Sequence, residues 1–157
     1  MRLPAAEVTG SEAALATIAP SNRLGGRASR EISVPVARLD DFQLPPIGFI
    51  KIDVEGHEEA VLQGARETIG RNRPALMIEI EERHNRGAIE RVFDHFRSDG
   101  YEVKCVVGGE LREAASVRSL VLRRPEDQDY INNFFFLPKE STLARREGVL
   151  PGRAQAP

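Results

Sequence analysis

The apolar residues of this chain switch between two periods, and this switching constrains the fold more than any other feature of the sequence. Residues 47–54 form a short, mostly apolar run rich in β-branched side chains, which is typical of a strand buried on both faces. From residue 57 to residue 69 the apolar side chains recur at helical spacing instead, and Gly70 followed by Pro74 is expected to end that helix. The sequence therefore predicts a strand followed by a helix.

The same switch is repeated in the rest of the chain. A second apolar run and a second helical stripe follow, then two more strand-like runs with no helix between them. Strands that alternate with helices form parallel sheets, so we predict an α/β fold whose sheet is mostly parallel, with an antiparallel C-terminal edge strand. The predicted strands lie near residues 48–54, 75–80, 101–107 and 132–137, and the predicted helices near 57–69 and 87–98.

Composition narrows the class of protein. The chain has 157 residues, a hydrophobic share of 41% and a net charge of -2. These values fit one globular domain and argue against a nucleic-acid binder, which needs a basic face. The apolar runs are too short to span a membrane and residues 1–7 lack the apolar core of a signal peptide, so we expect a cytoplasmic protein. A single cysteine, Cys105, excludes an internal disulfide and is expected in the core.

Acidic side chains gather where the first two predicted strands end. Lys51, Asp53 and Glu55 would project to one face of an extended segment, because side chains alternate with period two. Glu79 ends the next strand, and His84 follows in the loop after it. Ligands of open α/β sheets bind beyond the carboxyl ends of the strands. We therefore expect Asp53, Glu55 and Glu79 to lie close together at that edge.

Each of these residues has a structural and a functional interpretation. Asp53 either positions a substrate or pairs with Lys51, and Glu55 either complements a positive ligand or caps the following helix. His57 is a general base or an exposed residue of the first helical turn. Glu79 lies in an apolar strand, so it must be paired or face a polar cavity.

The same side chains raise the question of a metal. Carboxylates and an imidazole, as in Asp53, Glu79 and His84, suit a divalent ion. Nothing in their spacing demands one, so the sequence assigns no metal. A metal-dependent hydrolase that uses the carboxylates is the least favoured hypothesis.

An ordered set of motifs resembles a known family. The most specific motif is IKIDVEGHE at residues 50–58, which resembles the signature stretch of the FkbM-type S-adenosylmethionine-dependent methyltransferases. Flanking elements of that family are similar to LDD at 39–41, RP at 73–74, DGY at 99–101 and NFFFLP at 133–138. The resemblance covers residues 31–138 and, more weakly, residues 5–18.

The resemblance implies a fold, a cofactor and a reaction. The implied fold is a partial class I methyltransferase sheet, which is Rossmann-like, and the implied cofactor is S-adenosylmethionine. The implied reaction is O-methylation of a hydroxyl on a sugar or a secondary metabolite, with that small molecule as partner. On this interpretation Asp53, Glu55 and His57 act in catalysis, and Glu79 and His84 bind the substrate.

The sequence also departs from the family. The family's first strand ends in a glycine-rich cofactor loop, and no such turn follows a strand here, so no cofactor-binding residue is assigned. We therefore expect residues 1–138 to be the C-terminal portion of a methyltransferase domain and residues 139–157 to be a disordered tail. The alternative is a non-catalytic α/β remnant, acting as an interaction or oligomerisation module through an exposed sheet edge.

Overall fold

The computed structural model of the chain describes residues 2–4, 29–117 and 130–139. Its strands are β1 (Arg2–Pro4), β2 (Ser29–Glu31), β3 (Phe49–Ile52), β4 (Ala75–Glu79), β5 (Tyr101–Val107), β6 (Glu110–Glu113) and β7 (Asn133–Pro138). Its helices are α1 (Glu58–Gly64), α2 (Arg66–Asn72) and α3 (Ala88–Ser98), with short 3-10 turns at Leu39–Asp41 and Ala114–Val117. The four predicted strands and both predicted helical regions are therefore present. The predictions for residues 5–18 and 140–157 lie outside the described residues.

The main sheet has five strands in the order β3-β4-β7-β5-β6. Strands β3 and β4 pair in parallel, whereas β4 with β7, β7 with β5 and β5 with β6 pair antiparallel. The fold is α/β as predicted, but the prediction of a mostly parallel sheet is wrong, because among the described strands of this sheet only one neighbouring pair is parallel. Strands β1 and β2 form a separate antiparallel pair.

Strand β7 is antiparallel as predicted, but it lies in the middle of the sheet and not at its edge. Its side chains Phe134 and Phe136 are completely buried. Two large aromatic side chains gain more from a central position, with strands on both sides, than from an edge. The edge beyond β5 is instead taken by β6, a hairpin partner that the sequence did not predict because all four of its residues are exposed.

The predicted helix over residues 57–69 is two helices. Ala65 has a φ of -116° and a ψ of 7°, which ends α1 and begins α2. Asp40 accounts for the break, since its carboxylate accepts the backbone N–H groups of Glu67 at 3.1 Å and Thr68 at 2.9 Å and so caps α2. Helix α2 also continues past Gly70 and ends where Arg73 adopts a left-handed conformation.

The core lies on one face of the sheet. Burial alternates along the central strands, so that every second side chain of β4, β5 and β7 is buried and the others are partly or fully exposed. Helix α3 covers the buried face, and its Phe96 ring lies 4.5 Å from the Phe136 ring. Phe93 packs edge-on against Phe134 at 4.9 Å. Cys105 is fully buried in this core, as expected.

No helix among the described residues is long and apolar enough to span a membrane.

We predict that Phe136→Ala lowers the free energy of unfolding by about 3–5 kcal/mol, because it leaves a cavity among the α3 aromatic rings. The matched control is Phe49→Ala on strand β3, where the side chain is 56% exposed. This control should change stability by less than about 0.5 kcal/mol. Urea unfolding followed by circular dichroism measures both, and similar losses in the two variants would contradict a central β7.

Candidate functional site

The carboxyl ends of β3 and β4 meet at one edge of the sheet, because these two strands are parallel neighbours. Six side chains surround a small cleft there, and we call them the acidic cluster: Asp53, Glu55, Glu58, Glu79, Glu81 and His84. The space between them does not admit a water-sized sphere. The structure thus brings together four of the residues singled out in the sequence and adds two that the sequence analysis missed, Glu58 and Glu81.

A sharp turn carries the chain from β3 into α1. Glu55 has a φ of 52° and Gly56 a φ of 97°, so both lie in the left-handed region. For a residue with a side chain this conformation costs on the order of 1–3 kcal/mol and is found most often at functional sites. Glu58 is the residue that holds the turn, because its carboxylate accepts the Gly56 N–H at 2.9 Å. The carboxylate of Glu55 points instead towards His84, at 3.2 Å.

Asp53 and Glu79 have partners outside the acidic cluster. Lys51 Nζ lies 2.9 Å from Asp53 Oδ2, which is the structural pairing considered for Asp53. Glu79 accepts a 2.6 Å hydrogen bond from Asn132 Nδ2. Burial raises the pKa of Glu79 to about 7, with further contributions from the neighbouring carboxylates of Asp53 and Glu81. Burial is also the main reason that the pKa of Glu55 is raised.

Glu81 is the most connected member of the acidic cluster. Its side chain is buried, and its Oε2 atom contacts both Arg83 and His84. Its other oxygen accepts a 3.2 Å hydrogen bond from Asn132. Glu81 lies two residues after Glu79, so the period-two argument applied to β3 would also have indicated it. Asn132 comes from a distant part of the chain, and no local sequence signal points to it.

His57 does not line the cleft of the acidic cluster. It lies at the N-terminus of α1 and lines a second cavity of about 490 Å³, which we call the apolar cavity. Lys51, Val54 and Val61 share this cavity with His57, and residues 36–39 and 41–42 form another of its walls. The three residues predicted to act together, Asp53, Glu55 and His57, are therefore divided between two neighbouring cavities.

The fold and the site together define an α/β domain with a cluster of acidic side chains at the carboxyl ends of two parallel strands. The sequence matches the family model described as methyltransferase FkbM domain over residues 6–103, which is more than half of the chain. The chain therefore belongs to the FkbM methyltransferase family, which confirms the resemblance found in its motifs. The acidic cluster lies wholly within the matched residues.

The chain was also compared with solved structures and with curated proteins. Among solved structures, the chain is similar to the methyltransferase FkbM from Methylobacillus flagellatus KT, with 22% sequence identity and a TM-score of 0.43. The similarity covers 63% of this chain and 22% of that protein's chain. No curated protein matches the chain.

Asn132 gives a direct test of how the acidic cluster is held. We predict that Asn132→Ala lowers the free energy of unfolding by about 1–3 kcal/mol, because Glu79 and Glu81 each lose a hydrogen-bond donor. Asn132→Asp should cost more than Asn132→Ala, since it also adds a negative charge beside two carboxylates. Urea unfolding in the presence of a chelator measures both variants. An Asp variant as stable as the wild type would show that the carboxylates do not repel one another.

Proposed function

We propose that this chain forms part of an enzyme that transfers a methyl group from S-adenosylmethionine to a hydroxyl oxygen of a sugar or a secondary metabolite. One observation carries the proposal: the family match over residues 6–103 contains the whole acidic cluster. The site that ligands use in open α/β sheets is therefore built, in this chain, from residues within the methyltransferase domain.

The described residues suit the charged part of the cofactor. S-adenosylmethionine supplies a methyl group activated by a positively charged sulfur. Asp53 and Glu55 offer carboxylates at the strand ends that would stabilise such a charge. The apolar cavity next to them has a volume of about 490 Å³ and is lined by Val36, Phe42 and Val61 among others. Its size is within the range of about 300–1,000 Å³ that is common for small-molecule sites.

The residues would divide the work of methyl transfer. When an acceptor oxygen bonds to the methyl carbon, the carbon–sulfur bond breaks and the hydroxyl proton must leave. We propose His57 as the base that takes this proton, because it lines the cavity beside Asp53 and a neutral imidazole nitrogen can accept a proton. Glu79 and His84 are proposed to line the acceptor side of the site. Orientation of the hydroxyl towards the methyl carbon would supply much of the rate.

Affinity for the cofactor tests this proposal. We expect S-adenosylmethionine to bind more tightly than its demethylated product, because the product lacks the positive charge that Asp53 and Glu55 would stabilise. Among residues 29–117 and 130–139 no glycine-rich loop connects a strand to a helix. This chain should therefore bind S-adenosylmethionine weakly, with a dissociation constant near or above about 1 mM.

Nuclear magnetic resonance titration of the chain with each compound measures this difference and locates it. Asp53→Asn should reduce the preference for the charged compound. The matched control is Asp94→Asn, an α3 carboxylate that is 75% exposed, and it should leave the preference unchanged. Equal affinity for both compounds would contradict the proposed site. So would shifts confined to the groove between α1 and α3 that is lined by Gln63, Arg91 and His95. Micromolar affinity would contradict the expectation of weak binding.

A second candidate function is an interaction module. Among the described residues β3 pairs only with β4, so its other side is an open sheet edge. Large apolar side chains are exposed near it: Phe49 is 56%, Phe42 53% and Val36 72% exposed. Unpaired strand edges beside apolar surface are templates for pairing with another chain. This observation supports self-association through β3.

Light scattering across a range of protein concentrations tests the interaction module. We expect the wild-type chain to form larger species as its concentration rises, and Phe49→Lys to suppress them, because a charged edge residue opposes strand pairing. Leu111→Lys is the matched control, because Leu111 is 50% exposed on β6 at the opposite edge. A wild-type chain that stays monomeric, or equal effects of the two substitutions, would contradict association through β3.

A further inference from the structure

His84, Glu55 and Glu81 form a compact set within the acidic cluster. Each offers one ligand atom, and these atoms all lie within 4.8 Å of one another. His84 Nε2 lies 2.9 Å from Glu81 Oε2 and 3.2 Å from Glu55 Oε2. One nitrogen and two carboxylate oxygens, from two different loops, thus converge on a common point.

The nitrogen at the centre of this set makes no hydrogen bond to any residue that the structure describes. Among residues 29–117 and 130–139 the buried His84 Nε2 has no hydrogen-bond partner, although two carboxylate oxygens are close enough to accept one. The side chain is 10% exposed, so solvent does not replace the missing partner. Since the distances suit a hydrogen bond, its absence is a matter of direction: the N–H of His84 is not aimed closely at either oxygen.

A misalignment of this kind is expected where a nitrogen and its neighbouring oxygens share a metal ion. Ligand bonds to first-row divalent ions are about 2.1 Å long, so two ligand atoms at right angles lie about 3 Å apart. In such a pair the ligand nitrogen is aimed at the metal ion. The line from the nitrogen to the oxygen then makes an angle of roughly 45° with the line from the nitrogen to the ion, which is too large for a good hydrogen bond. The observed distances of 2.9 and 3.2 Å agree with this spacing.

Charge and space also favour a cation. The acidic cluster has five carboxylates; Lys51 pairs with Asp53, and Arg83 pairs with Glu81. The cleft has no room for a water-sized sphere, so water cannot screen the carboxylates from one another within it. Glu81 Oε2 has two lone pairs, so it can bind an ion while it still accepts from Arg83.

We propose that Glu55, Glu81 and His84 form a binding site for a divalent first-row transition-metal ion such as Mn²⁺ or Zn²⁺. The imidazole ligand favours these ions over Mg²⁺ and Ca²⁺, which prefer oxygen alone. The ligand set differs from the Asp53, Glu79 and His84 set considered from the sequence, because Lys51 and Asn132 hold the first two of those residues. The proposal does not depend on methyl transfer.

Metal titration tests the proposal without any cofactor or substrate. Chelator-treated full chain is titrated with Mn²⁺, and free Mn²⁺ is followed by electron paramagnetic resonance. We expect one saturable site per chain, and a loss of affinity of at least tenfold in His84→Gln or Glu55→Gln. The matched control is His95→Gln, because His95 is 52% exposed and faces Asp99 at 3.9 Å, and its affinity should equal that of the wild type. Absence of saturable binding, or binding that His84→Gln leaves unchanged, would overturn the proposal.

A second measurement is made on the wild-type chain, so its main result does not depend on how a variant folds. Pulsed electron paramagnetic resonance of the wild-type chain with bound Mn²⁺ should show coupling to one imidazole nitrogen. The chain has three histidines, and His95→Gln, in which His84 is intact, should keep the signal. A bound ion with no nitrogen coupling would overturn the proposal, because it would be held by carboxylates alone.

Discussion

The parallel pairing of β3 with β4 is the interaction on which the site depends. It places Ile52 opposite Ile78, so the chain leaves both strands at the same edge of the sheet. Acidic residues follow both strands within three positions, and the pairing forces their side chains into one small volume. Like charges at this distance oppose folding, so the sheet must supply compensation at the same edge. The acidic cluster is therefore a consequence of strand direction as much as of composition.

Strand β7 supplies part of that compensation. Its central position buries Phe134 and Phe136 against α3. The same position brings Asn132, the residue before β7, to the acidic cluster. Asn132 accepts the backbone N–H of Ile80 at 2.7 Å and donates from its side chain to Glu79 and Glu81. An edge position next to β5 would leave these carboxylates without that donor. The position of β7 between β4 and β5 thus determines both the packing of the core and the electrostatics of the site.

Much of this architecture could be predicted from local pattern. The switch between periods two and 3.6 located β3, β4, β5, β7 and α3. The apolar run of β3 also predicted burial on both faces, and this was wrong, because Phe49 and Lys51 are exposed. Strand β6 has no buried side chain and so carried no signal. The order of the strands depends on which distant segments pair, and periodicity contains no information about that. The break at Ala65 was missed for a similar reason, because Asp40, which caps α2, lies far away in the sequence.

The site was predictable in part on the same grounds. Period-two alternation and parallel pairing correctly placed Asp53 and Glu79 near one another. The alternation stops at Ile52, however, and the left-handed backbone of Glu55 and Gly56 redirects the chain. His57 is therefore carried to the apolar cavity, away from the carboxylates with which it was grouped. A turn of this kind depends on two backbone angles, which the residue pattern of a strand does not reveal.

Strand β3 separates two chemically different spaces. Lys51 and Val54 line the apolar cavity, whereas Asp53, between them in the sequence, belongs to the acidic cluster. The 2.9 Å pair of Lys51 and Asp53 joins the two spaces and neutralises charge at their boundary. The proposed ligand, with an apolar body and a positive centre, would complement both spaces, whereas an anion would be repelled by the carboxylates. The proposed selection by charge would therefore follow from the way that one strand ends.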